Sequence, residues 1–73
     1  MKHVAKIIEI IGTSEVGIED AIQSAIGRAA KTVDHLQWFQ VTEVRGAIKD
    51  QQIERYQVML KVGFALDEGS ASY

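Results

Sequence analysis

From about Arg55 to Leu66 the chain alternates strictly. Tyr56, Val58, Leu60, Val62, Phe64 and Leu66 fall on one side, and Gln57, Met59, Lys61, Gly63 and Ala65 on the other. A period of two is the mark of a strand with one face turned to a core. Val4 to Ile11 is a second β-rich segment, broken by Lys6 and Glu9. Between them the period changes. Ile18, Ala21, Ile22, Ala25, Ile26, Ala29 and Val33 recur at three- and four-residue spacings, which predicts a helix with one apolar stripe. Alanine is common in that stripe, so a neighbour can approach it closely. Gly12-Thr13-Ser14 reads as the turn into this helix, with Thr13 or Ser14 as its cap. Glu15, Glu19 and Asp20 at its start and Arg28 and Lys31 at its end complement the helix dipole. Gly17 and Gly27 each weaken it by roughly 1 kcal/mol relative to alanine, so tertiary cover must hold it.

Asp34-His35-Leu36 forms a short joint, and His35 there is an exposed or favourably placed charge near the helix end. A further strand follows to about Ile48, and polar Lys49-Asp50-Gln51-Gln52 suits a hairpin loop. The order is strand, helix, strand, strand. An antiparallel hairpin of the last two strands, with a right-handed crossover before it, places the last strand in the centre. The fold class is therefore α+β, a β-α-β-β domain over residues 1–66. Residues 67–73 read as a loose C-terminal tail.

The middle strand carries the informative exception. Phe39 and Val41 share one face, while Trp38 shares the other with Gln40 and Thr42. The largest apolar ring thus points with polar neighbours, where tryptophan serves as a subunit contact or as a platform for a flat ligand. By the same counting Glu43 and Arg45 land on the Phe39 side, which an apolar inner face does not accommodate. A bulge or bend near Thr42 resolves the conflict by re-aiming the later residues, and Gly46 tolerates it.

Composition narrows the function. At 73 residues the chain is a single domain near the lower limit for one core. With no cysteine it has neither disulfide staples nor a thiolate metal site. His3 and His35 belong to no ligand pattern, and no metal site is predicted. One helix, a 47% apolar composition and no staples point to a homo-oligomer. A net charge of −2 without a basic run argues against nucleic acid as partner. No apolar stretch approaches the ~20 residues of a membrane span, and no apolar signal region opens the chain. The expectation is a soluble, cytoplasmic protein.

Catalytic patterns are absent. Gly12-Thr13-Ser14 lacks the spacing and lysine of a phosphate loop, and Ser14, Ser24, His3 and His35 form no nucleophile–base set. Singly, Arg45 reads as a surface ion-pair member and Gln57 as an ordinary strand residue. In combination with Trp38 they suit a flat heteroaromatic. Trp38 stacks, the Gln57 amide bonds a pyrimidine-like edge, and Arg45 holds a phosphate.

The blocks Glu9-Ile10-Ile11-Gly12-Thr13-Ser14, Leu36-Gln37-Trp38-Phe39-Gln40-Val41, Val44-Arg45-Gly46, Tyr56-Gln57-Val58 and Val62-Gly63-Phe64-Ala65-Leu66 resemble the dodecins, small flavin-binding proteins. The resemblance spans nearly the whole chain except the tail. It implies a three-stranded antiparallel sheet partly wrapped around the helix, and a hollow homo-dodecamer. It also implies flavins paired at two-fold subunit contacts between symmetry-related tryptophans. Trp38 matches the stacking residue, Gln57 the glutamine at the ring edge, and Arg45 a basic residue near the phosphate. FMN is then the leading ligand, with riboflavin and FAD as alternatives and coenzyme A as a weaker one. The implied role is storage, buffering and photochemical quenching of flavin, not enzymatic turnover. The rival readings are a small oligomeric interaction domain with an interface tryptophan and, more remotely, a flavoenzyme. Three positions depart from the family: Gln37 and Gln40 replace acidic residues beside the tryptophan, and Ala65 replaces an arginine common in bacterial relatives, which removes a second phosphate or coenzyme A contact.

Overall fold

The computed structural model describes residues 3–66; the expected tail, residues 67–73, lies outside the described residues. The chain forms β1 (Ala5–Ser14), α1 (Ile18–Ala29), β2 (Leu36–Lys49) and β3 (Gln52–Ala65). One sheet has the order β1-β3-β2, and β3 runs antiparallel to both neighbours. The strongly alternating strand is thus the central one, as its pattern predicts.

Val58, Leu60 and Val62 of β3 are almost wholly buried and meet Ala21 and Ala25 of α1 in the core. Ile8 and Ile10 of β1, Ile22 and Ile26 of α1, and Leu36 pack around them. The helix lies over β1 and β3. Its alanines matter because Gly12 sits directly beneath them. A Cβ at Gly12 would collide with the Ala21 carbonyl oxygen and stand 3.0 Å from the Ala25 Cβ. Gly12 is therefore a strand residue that lets the helix descend, and β1 continues through Ser14 rather than ending at Ile11.

The expected helix cap takes another form. The helix starts at Ile18 behind Gly17, which provides no side-chain cap. The buried Ser14 hydroxyl instead accepts hydrogen bonds from the Val16 and Gly17 N–H groups, at 2.9 and 3.3 Å, and donates to Asp20 Oδ2 at 2.7 Å. Ser14 ties the strand end to the first helical turn through the loop and Asp20. Glu15, Lys31 and Val33 lie outside the helix, and only Gly27 of the two glycines lies within it. At the other end His35 is exposed with φ 65°, and its carbonyl accepts a 3.0 Å bond from the Ala65 N–H.

The hairpin is tighter than its polar sequence suggests. Lys49 pairs with Gln52, leaving Asp50 and Gln51 as a two-residue turn with φ 54° and 66°. Positive φ at both central positions is the type I′ geometry that matches the strand twist.

Candidate functional site

The face of the sheet opposite the helix gathers the residues singled out by sequence. Directly paired residues of an antiparallel ladder project to the same side. Trp38 pairs with Gly63, Gln40 with Lys61, Glu43 with Met59, and Arg45 with Gln57. These β3 residues alternate with the buried Val58, Leu60 and Val62, so the whole set points away from the core. A register shift between Val41 and Glu43 makes this possible. Thr42 is the extra residue, and its hydroxyl donates to the Met59 carbonyl at 3.1 Å. The bulge turns Glu43 and Arg45 to the outer face, as the conflict in the alternation required. It also removes Thr42 from the regular outer set in which simple counting placed it.

Trp38 is half-buried because of Gly63. A Cβ at Gly63 would fall against the indole, beside Cε2, Nε1 and Cζ2. The ring therefore lies across the bare backbone of the central strand, and Gly63 is buried beneath it. Sequence reasoning left this glycine out of the site. Its signal was a lone glycine inside an alternating apolar strand, a common mark of close approach. A second shift, between Leu36 and Trp38, marks Gln37 as another bulged position.

Arg45 and Gln57 are brought together: Arg45 Nε donates to Gln57 Oε1 at 2.5 Å. Trp38 is not brought to them. Its partner Gly63 lies six residues along β3 from Gln57, or about 20 Å at roughly 3.3 Å per residue. A flat three-ring ligand stacked on Trp38 does not reach Gln57 of the same chain. If the three residues serve one ligand, two copies of the chain must supply them.

The surroundings of the platform are mixed. Ile7 pairs with Gly63 and Ile11 with Met59 from β1, and both isoleucines are about half exposed. Glu9, Lys61 and Gln40 form a polar row between them. Among the described residues, no group of three or more histidines or carboxylates could hold a metal ion. Nor is any helix there long and apolar enough to cross a membrane.

A family model described as Dodecin matches residues 4–67. A dodecin of Thermus thermophilus is 53% identical over 68 residues, covering 93% of this chain and 99% of that protein. The solved dodecin of Streptomyces davaonensis superposes with a TM-score of 0.87 at 47% identity, covering 93% of this chain and 100% of its own. A more divergent structure, the calcium dodecin of Mycobacterium tuberculosis, has a TM-score of 0.75 at 33% identity and covers 93% and 97%.

Proposed function

The chain belongs to the dodecin family, and from that premise we propose that it is a non-enzymatic flavin-binding protein that stores and buffers flavin in the cytoplasm. Its working form is a hollow homo-dodecamer built from the single domain of residues 1–66. FMN is the leading ligand, ahead of riboflavin and FAD. Coenzyme A is a weaker candidate because Ala65 offers no charge.

The observation that carries this reading is the indole of Trp38 laid across Gly63 on the sheet face away from the helix. A ring held flat by backbone is a platform that exists before the ligand arrives, so stacking costs little ordering entropy. Two such platforms related by a two-fold axis can enclose a pair of flavins. The same symmetry can bring Gln57 and Arg45 of one copy to the ring on Trp38 of the other, which accounts for their separation within one chain. Indole in van der Waals contact with an excited flavin donates an electron to it and receives it back, returning the flavin to its ground state.

Titration of free FMN with the apo-protein, followed by flavin fluorescence, tests the proposal. Quenching that saturates near one flavin per chain supports it. A colourless protein that leaves FMN fluorescence unchanged well above micromolar concentration favours the rival, an oligomer in which Trp38 only packs.

A further inference from the structure

We infer that Arg45 is a positioning residue for Gln57, setting the amide so that its NH2 group meets a hydrogen-bond acceptor on the edge of the ligand ring. The inference rests on the flavin reading above and goes beyond it. In that reading Arg45 is a contact for the ligand, with the phosphate as its expected partner.

The two side chains are cross-strand partners on the outer face, and Arg45 Nε donates to Gln57 Oε1 at 2.5 Å. A guanidinium has donors only, so the amide atom facing it must be the carbonyl oxygen. That removes the ambiguity between the two ends of a glutamine amide. Oε1 keeps a second lone pair, but with one held by Arg45 the orientation of the amide is fixed and its NH2 group has a set direction. The group suits a ring carbonyl or imine nitrogen, and the pyrimidine-like edge of a flavin carries such carbonyls. Without Arg45 the amide rotates freely and presents oxygen as often as nitrogen, and oxygen repels a ring carbonyl. Arg45 engages through Nε, and its terminal amino groups have no other hydrogen bond among the described residues. A phosphate contact by those groups is compatible with this role.

The two roles separate by ligand. Riboflavin has the ring of FMN and no phosphate. A pure phosphate contact leaves riboflavin binding untouched when Arg45 is lost, whereas a positioning residue weakens both ligands. Fluorescence titrations with riboflavin and FMN should compare the assembled wild type, Arg45→Ala, Gln57→Ala and the double variant. Size-exclusion chromatography would establish that each remains assembled; Arg45 is exposed, so its loss leaves the core intact.

The expected result is a loss of about 3- to 10-fold in riboflavin affinity for Arg45→Ala, the factor that freezing one flexible side chain costs. Adding Arg45→Ala to Gln57→Ala should then cost riboflavin nothing more, because the two residues act as a unit. Riboflavin binding unchanged in Arg45→Ala, with only FMN weakened, overturns the inference and leaves a phosphate contact. Losses that add in the double variant overturn it too. A wild type that quenches neither flavin is a separate outcome: it removes the flavin reading itself, and this inference with it.

Discussion

Trp38 and Gly63 act as a pair, and substitutions on the two sides should have different effects. Replacing Trp38 by alanine removes the stacking surface from an outer position and leaves Val58, Leu60 and Val62 covered. Stacking of a heteroaromatic ring on an aromatic side chain is worth about 1–3 kcal/mol. Flavin affinity should therefore fall roughly 5- to 150-fold, with quenching lost and the assembly retained on size-exclusion chromatography. Unchanged binding and quenching in that variant would end the stacking hypothesis. Gly63→Ala acts from below: its Cβ falls against the indole and must lift it. Overpacking of this kind costs about 1–3 kcal/mol. Chemical denaturation should detect that loss, and flavin quenching should weaken while Trp38 is still present. Sequence alone identified Trp38, because a large ring among polar neighbours stands out along one strand. Gly63 carried only the weak signal of a lone strand glycine, and its contact with the indole became visible only across two strands.

At the scale of elements, two irregularities set the geometry. The first is the bulge at Thr42. Side chains on a strand have a period of two, so removing one residue moves everything beyond it to the other face. Deletion of Thr42 should turn Glu43 and Arg45 toward the core side and break the Arg45–Gln57 bond. Loss of flavin edge contacts in titration, with reduced stability, would be the measured consequence. The polar residues at 43 and 45 made this bulge legible in the sequence. The second is the turn at Asp50 and Gln51, where two L-residues with side chains hold positive φ. Glycine is favoured there, so Gln51→Gly should stabilise the hairpin by about 0.5–1 kcal/mol. A raised denaturation midpoint with unchanged flavin affinity is the expected observation. Polarity alone suggested a looser loop, since the turn type depends on pairing of Lys49 with Gln52.

For the whole molecule, the helix covers less of the sheet than its apolar residues require. Phe39 and Val44 on the helix side of β2 are each 48% exposed, and Ile48 and Ile53, paired beside the turn, are 75% and 62% exposed. A chain this small cannot spare so much apolar surface, and in the proposed dodecamer other copies cover it. Ile48→Lys together with Ile53→Lys should shift native mass spectra from the large assembly toward smaller species. A full-sized assembly in that variant would mean the hairpin tip lies outside the subunit contacts. Flavin binding should fall with assembly, because Trp38 and Gln57 of one chain lie too far apart to share a ligand.

Local periodicity was enough to determine the element order, the central position of β3 and the outward direction of Trp38. Each follows from a repeat of two or of three to four residues along one segment, and from the short connections between segments. Resemblance added the family and the roles proposed for Trp38, Gln57 and Arg45. Tertiary structure decided what depends on two segments meeting. Gly12 looked like a turn residue because glycine before Thr-Ser suits one, yet it lies within β1 because Ala21 and Ala25 press on it from the helix. Ser14 looked like a cap and is instead a buried link to Asp20. The contact of Arg45 with Gln57, the seat of Trp38 on Gly63 and the distance between these two places come from strand register. Register is a long-range pairing, and no pattern within a single strand encodes it fully.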